Sequence, residues 1–131
     1  MFVDVLVSPD GEHLNELLSR GQPLPYPIWG RGMIDTGTNV STVSQTILHQ
    51  LGIPKGISAT SQGISGPFSS HFYVVSFSIA NKATPGALYS PPDVTVISSA
   101  ALDIDVLIGL DLLMDCQLFI DGPARRFTLD F

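Results

Sequence analysis

The chain has 131 residues, of which 44% are hydrophobic and 14% are charged, and its six basic and twelve acidic residues give a net charge of −6. This size predicts one domain, residues 1–131, with a single core, and a chain without a cluster of basic residues is not expected to bind nucleic acid. One cysteine excludes an internal disulfide and three scattered histidines lack metal-site spacing, so we expect neither a metal nor another cofactor.

The beginning of the chain predicts a strand followed by a short helical segment. Valine alternates with other residues over 3–7, which is typical of a half-buried strand. Three leucines between Gly11 and Gly21 predict one or two helical turns, and the proline-rich segment 22–27 predicts an extended connector. The first residues carry no basic region and soon turn polar, so we expect no signal peptide, no membrane partner and a cytoplasmic protein.

The clearest helix signal lies in the segment Thr42–Leu51. Thr42 and Gln45 have the spacing of a capping box, and Gly52 and Pro54 follow the last apolar residue of the stripe. We therefore predict a helix from Thr42 to Leu51.

Most of the remaining chain predicts short strands. Apolar and polar residues alternate over 73–79, and frequent Gly and Pro divide the rest into short segments, which is typical of an all-β domain. Further strands are expected at 94–97, 105–108 and 118–120. The run 127–131 follows a turn at 121–123 and predicts a C-terminal hairpin, and Asp111 predicts the N-cap of a short helix.

The triplet Asp35-Thr36-Gly37 follows the apolar pair Met33-Ile34 and occurs once in the chain. A carboxylate on a tight, glycine-bearing loop suits an aspartic peptidase, which needs two such carboxylates facing each other to share one proton. One copy per chain therefore predicts that two chains build one site. Taken alone, the triplet is also compatible with an ordinary turn, because Asp and Gly are common turn residues.

The segment Gly32–Thr38 resembles the active-site segment of retropepsin-like aspartic peptidases, in which two apolar residues precede Asp-Thr/Ser-Gly-Ala/Ser/Thr. A second element, Val106–Leu113, resembles the apolar-apolar-Gly motif of that family, and the segment 118–129 resembles the ending of small bacterial members. The resemblance covers roughly residues 28–131. It implies an all-β, closed, barrel-like protomer with one main short helix and a flap hairpin.

The resemblance also implies an aspartic endopeptidase that acts as a homodimer on a peptide or protein substrate. Two copies of Asp35 would activate water as an acid/base pair, without a covalent enzyme intermediate. Thr36 would hold the two loops in register across the dimer axis, and Gly37 would bring its N–H to the carboxylate. The segment Leu107-Ile108-Gly109 would cross behind the loop, where its glycine permits a close backbone approach.

Thr38 allows a sharper expectation about pH. Its hydroxyl could donate to the Asp35 carboxylate and stabilise the ionised form, which alanine could not do. The pH optimum would then be more acidic, and Thr38→Ala would move it upward.

A flap is expected between the Ile57–Gln62 segment and the strand that begins near His71. Residues in the expected place are Gly63, Ile64, Ser65, Gly66 and Phe68. The glycines suit a mobile hairpin tip, and Ile64 or Phe68 could lie over a substrate.

Other polar and aromatic residues are assigned structural roles. We interpret Asp103 and Asp105 as loop charges, Cys116 as a buried thiol, and Tyr26 and Trp29 as core or interface residues.

Two departures from the family concern dimer support. Retroviral members pair an Arg and an Asp near the dimer interface, where this chain has Leu110 and Asn39. Two other functions stay open: a non-catalytic retropepsin-like dimerisation or protein-binding domain, whose motifs would look identical, and a monomeric β-barrel that binds a ligand, in which Asp35 would be a turn residue.

Overall fold

Strands dominate the structure, a computed structural model that describes residues 1–63, 65–81, 86–100 and 103–131, with the side chain of Phe68 excepted. The strands are β1 (Phe2–Pro9), β2 (Ile28–Ile34), β3 (Thr42–Ser44), β4 (Ser58–Gly63), β5 (Gly66–Ala80), β6 (Leu88–Tyr89), β7 (Val94–Ser99), β8 (Val106–Ile108), β9 (Gln117–Asp121) and β10 (Arg126–Asp130). The helices are α1 (Gly11–Ser19), α2 (Gln45–Gln50) and α3 (Leu110–Leu113). In these ranges, no helix has the length and apolar character needed to cross a membrane.

Six of the described strands form a closed barrel. They follow the order β1, β2, β8, β3, β7 and β5, and β5 pairs again with β1. The pairs β2–β8 and β3–β7 are parallel, whereas the other pairs in the barrel are antiparallel. The predicted all-β, closed barrel is therefore confirmed.

Alternating side chains build the core of this barrel. Val5 and Val7 of β1 are 0% exposed, and each such valine stabilises the fold by about 1.5–3 kcal/mol relative to an exposed position. In β5 the buried hydrophobic residues are Tyr73, Val75, Phe77 and Ile79. Both predicted strands are confirmed. β5 is longer than expected because it pairs in turn with β4, β7 and β1.

The predicted helix Thr42–Leu51 is wrong at its beginning. Residues 42–44 form β3, in which Thr42 pairs with both Leu107 and Ile97. The residues that the capping box assigned to the helix therefore belong to the sheet. The N-cap is Ser44, whose hydroxyl accepts a hydrogen bond from the Ile47 N–H at 3.3 Å. The resulting α2 has six residues and is shorter than α1, which has nine.

The C-terminal hairpin is confirmed and forms a sheet of its own. β9 and β10 pair with each other, and Leu129 packs into the main core. The helix before it begins one residue earlier than Asp111, because Gly109 is its N-cap. The prediction of Asp111 as the N-cap is therefore wrong.

Candidate active site

The Asp35 loop is anchored at the end of β2. The Asp35 N–H donates to the Ile108 carbonyl at 3.0 Å, and the N–H of Ile34 donates to the Met1 carbonyl at 3.0 Å. Asp35 is half-buried, whereas Thr36 and Gly37 are exposed. The base of the loop is thus fixed by the barrel, and its tip faces solvent.

Gly37 holds the carboxylate of Asp35 from the same loop. Its backbone N–H donates to Asp35 Oδ1 at 2.8 Å. A Cβ at position 37 would stand 3.1 Å from that oxygen, so a larger residue would crowd the carboxylate. The expected contact between Gly37 and Asp35 is therefore present, and it fixes the orientation of the carboxyl group.

The second motif lies directly beside this loop. β8 is parallel to β2 and pairs Met33 with Leu107 and Ile34 with Ile108. Beyond β8, the Leu110 N–H donates to the Thr38 carbonyl at 2.9 Å. A Cβ on Gly109 would stand 3.0 Å from that carbonyl oxygen, so the close backbone approach requires glycine.

The expectation for the hydroxyl of Thr38 is wrong within the protomer. Thr38 Oγ1 donates to the Val40 carbonyl at 3.1 Å. A hydroxyl has one hydrogen to donate, and the chain brings a backbone carbonyl within reach two residues later. The Thr38 hydroxyl therefore stabilises the outgoing chain instead of donating to the Asp35 carboxylate.

Asp105 lies in the bend before β8, in agreement with its interpretation as a loop charge, and it also contributes to the framework around the Asp35 loop. Its Oδ2 accepts a hydrogen bond from the Arg31 N–H at 2.8 Å. Its carbonyl accepts one from the Ser44 N–H at 2.8 Å, and a Cβ on Gly30 would stand 3.0 Å from the Asp105 Cβ. The glycine at position 30 was the signal in the sequence, because it gives a neighbouring segment room to approach.

Sequence reasoning also missed Ser41 and misjudged Asp111. These side chains hydrogen-bond to each other at 2.7 Å, although they lie 70 positions apart in the chain. A serine close to the Asp35 triplet carries no signal of its own. The contact depends on β8 lying between β2 and β3.

The β4–β5 hairpin occupies the expected flap position along the chain. The last pair of the two strands joins Gly63 to Gly66. Gly66 has φ 108°, a conformation that favours glycine. Ile64 and the side chain of Phe68 lie outside the described residues, so their predicted substrate contacts stay predictions, as does the role of Ser65.

Cys116 is a half-buried thiol rather than an activated nucleophile. Its Sγ donates to the Leu112 carbonyl at 3.5 Å. Burial, followed by the negative charge of Asp115, raises the pKa of the Cys116 thiol above its ordinary value. Because the thiolate is the reactive form, this environment makes Cys116 less nucleophilic.

The two aromatic residues near the start of β2 are not core residues. Tyr26 is 91% exposed and Trp29 is 57% exposed. The core interpretation is therefore wrong for both, and the interface interpretation stays a prediction.

A cavity of about 580 Å³ lies away from the Asp35 loop. It is lined by α1, the segment 53–57, three residues of β5 and Thr95.

No group of three or more His, Cys, Asp or Glu side chains in the described ranges converges as metal ligands would.

Two solved structures share this arrangement of strands. The retropepsin-like aspartic protease from Rickettsia conorii matches with a TM-score of 0.55 and 13% identity over 99% of this chain and 91% of its own. The retroviral protease-like domain of Ddi1 from Leishmania major matches with a TM-score of 0.50 and 15% identity over 99% and 89%, respectively. No family model matches the sequence, and no curated protein is similar to it. The chain therefore has the retropepsin-like protease fold.

Proposed function

We propose that the chain is an aspartic endopeptidase that acts as a homodimer with one shared active site. The observation that carries this proposal is the Asp35 carboxylate, which the Gly37 N–H holds at 2.8 Å on a loop bonded to β8. That loop lies in a fold that proteases use. A half-buried carboxylate at the base of an open loop suits a site completed by a second copy of the same loop.

In this mechanism the two Asp35 carboxylates share one proton, since close carboxylates do not ionise together easily. The ionised Asp35 takes a proton from a bound water as the water attacks a peptide carbonyl. The protonated Asp35 of the other chain gives its proton to the carbonyl oxygen, so no covalent intermediate forms. Thr36, exposed at the loop tip, holds the two loops in register, and Gly37 fixes the orientation of the carboxylate.

The β4–β5 hairpin is proposed as the flap over a peptide flanked by apolar residues at the cleaved bond. It extends from the barrel on a long strand, and its tip contains Gly63 and Gly66. A lid of this kind excludes water from the reacting groups and positions the substrate backbone.

The C-terminal hairpin is proposed as part of the dimer surface. Phe119 is 66% exposed and Ile120 is 55% exposed, although both belong to a paired strand. Consecutive strand residues point to opposite faces, so each face of β9 exposes a large apolar side chain that a partner could cover. The hairpin is also joined to the core through Leu129, which supports our proposal that residues 1–131 act as one domain.

The first test replaces Asp35 with Asn, which keeps the size of the side chain and removes the titrating carboxyl group. We expect cleavage of a mixed peptide library, read by mass spectrometry at high protein concentration from mildly acidic to neutral pH, to disappear. The loss should be at least about a thousandfold, because acid/base catalysis and water activation both depend on this group. Asp103→Asn, at an exposed position, is the matched control and should keep the wild-type cleavage pattern.

The outcomes separate the proposed peptidase from the alternatives. Cuts that are made by the wild type and lost in Asp35→Asn identify an aspartic peptidase and reveal its sequence preference. A verified dimer that makes no cuts would contradict the proposal and favour a dimerisation or protein-binding domain. A strictly monomeric wild type would favour a barrel that binds a ligand alone.

A further inference from the structure

We propose that Ser41 and Asp111 form a clamp that positions the Asp35 loop for catalysis. The clamp is defined by these two residues and acts through the backbone of Gly109. Its catalytic consequence rests on the proposed peptidase function, whereas its effect on the loop can be measured independently.

The clamp consists of hydrogen bonds between two distant parts of the chain. Asp111 Oδ2 accepts the Ser41 N–H at 2.9 Å, and Asp111 Oδ1 accepts the Ser41 hydroxyl at 2.7 Å. The Ser41 hydroxyl oxygen in turn accepts the Gly109 N–H at 3.0 Å. Ser41 is 0% exposed, whereas Asp111 is exposed, so the clamp joins a buried hydroxyl to a carboxylate at the surface.

The carboxylate is the group that makes this arrangement strong. Asp111 Oδ1 also accepts the Leu112 N–H at 3.0 Å, so the side chain receives donors from both sides of the contact. Hydrogen bonds to an ionised acceptor are roughly twice as strong as neutral ones. Asp111 therefore links the first turn of α3 to the segment that leaves the Asp35 loop.

The clamp is the last of three successive links between the same two segments. Asp35 donates to Ile108 at 3.0 Å, and Thr38 accepts from Leu110 at 2.9 Å. Ser41 follows three residues later and bonds to both Gly109 and Asp111. Because the Ser41 carbonyl also accepts the Ile97 N–H at 3.2 Å, the far end of the segment is fixed to β7.

This geometry assigns the clamp a task that the sequence left open. Leu110 and Asn39 are uncharged and cannot form an ion pair between the two segments, whereas Ser41 and Asp111 supply side-chain hydrogen bonds there. Without the Ser41 hydroxyl, the Gly109 N–H would lose its partner, and an unsatisfied buried donor is costly. The second motif would then shift against the Thr38 carbonyl, and the shift would reach Asp35. Ser41 and Asp111 are positioning residues, since they act through the loop.

The experiment compares Ser41→Ala, Asp111→Ala and the double variant in the full chain. Asp111→Asn is a milder change, because its amide keeps one acceptor oxygen. The matched controls are Ser76→Ala and Asp93→Ala, which break a similar Ser–Asp hydrogen bond of 3.0 Å on an exposed part of the barrel. Peptide cleavage and amide hydrogen exchange are measured on each variant, together with its dimer fraction.

We expect kcat per folded dimer to fall about tenfold to hundredfold in either clamp variant, with a smaller change in KM, because a small misplacement of reacting groups slows the chemical step. The double variant should lose little more than either single variant, since both break one unit. Amides of Asp35, Gly109 and Leu110 should exchange faster. Asp111→Asn should be intermediate, and both controls should match the wild type.

Several results would overturn the clamp. One is that Ser41→Ala changes neither amide hydrogen exchange nor kcat. Another is that the loss of activity equals the loss of folded dimer, because the clamp would then have only a structural role. If the wild type cleaves nothing, the proposed peptidase function fails, and hydrogen exchange in the same variants still decides whether the clamp fixes the loop.

Discussion

At the scale of single residues, the Asp35 loop depends on backbone groups of its own protomer. Gly37 donates its N–H to the carboxylate at 2.8 Å, and Thr38 uses its hydroxyl for the Val40 carbonyl at 3.1 Å. One residue therefore orients the carboxylate, and the other shapes the chain after the loop. Gly37 and Thr38 are adjacent in the motif, but they donate hydrogen bonds to different residues.

The hydrogen bond of Thr38 leads to a prediction opposite to the sequence-based one. Because the hydroxyl does not reach the Asp35 carboxylate, we expect Thr38→Ala to leave the pH optimum of peptide cleavage unchanged. The loss of one hydrogen bond should lower the free energy of unfolding by about 0.5–1.5 kcal/mol. A pH series of kcat/KM and a urea denaturation curve measure both effects, and an optimum displaced toward neutral pH would contradict this geometry.

At the scale of elements, β6 joins the C-terminal part of the chain to the barrel. Tyr89 of β6 donates its hydroxyl to Asp115 Oδ2 at 3.0 Å, just beyond α3, and its ring centroid lies 5.1 Å from that of Phe131. Burial, the hydrogen bond to Asp115 and the negative charge nearby raise the pKa of Tyr89 to about 12. Each of these causes favours the neutral phenol in the folded chain.

The raised pKa of Tyr89 predicts how stability changes at alkaline pH. The ordinary value is 10.0, so between pH 10 and pH 12 the unfolded phenol loses its proton while the folded one keeps it. The free energy of unfolding contributed by Tyr89 is therefore fully present below pH 10 and is lost as the pH rises through 12. Tyr89→Phe should show a flatter decline over this interval.

Chemical denaturation at a series of alkaline pH values measures the effect. Tyr26→Phe removes the hydroxyl of a phenol that is 91% exposed, and this matched control should keep the wild-type decline. Equal declines in wild type and Tyr89→Phe would show that the contact with Asp115 does not control this titration.

At the scale of the whole molecule, the proposed site exists only when two barrels meet. A protomer supplies one Asp35, and the exposed apolar residues of the C-terminal hairpin offer a surface for a second copy. Activity should then depend on protein concentration, because a dimer that dissociates loses half of its site.

Replacing Phe119 with Asp tests this surface. We expect the dimer dissociation constant to rise about tenfold or more, since a charge would replace an aromatic contact, and cleavage at low concentration should fall with it. The monomer should stay folded because Phe119 is 66% exposed. Sedimentation equilibrium measures the association. Leu18→Asp, at a 59% exposed position in α1, is the matched control, and an equal effect of both variants would argue against the hairpin.

The sequence by itself determined the strand alternation, the C-terminal hairpin and the position of the Asp35 triplet. These features depend on residues that are close together in the sequence. In β1 and β5 every second residue is apolar, and this alternation predicts which side chains are buried. The same local reasoning failed at Thr42. The capping box predicted that Thr42 begins a helix, but Thr42 lies in β3 and pairs with β7 and β8, which are distant in the sequence.

Only the tertiary structure decided the partners of the polar groups around the loop. The placement of β8 between β2 and β3 brings Gly109 and Asp111 within hydrogen-bond distance of Ser41. The Thr38 hydroxyl donates its hydrogen bond to the Val40 carbonyl. A hydrogen bond depends on distance and direction in space, whereas sequence periodicity reports only which side of an element is buried. The motif could therefore be found from the sequence, but the side chains that hold it in place could be found only in the fold.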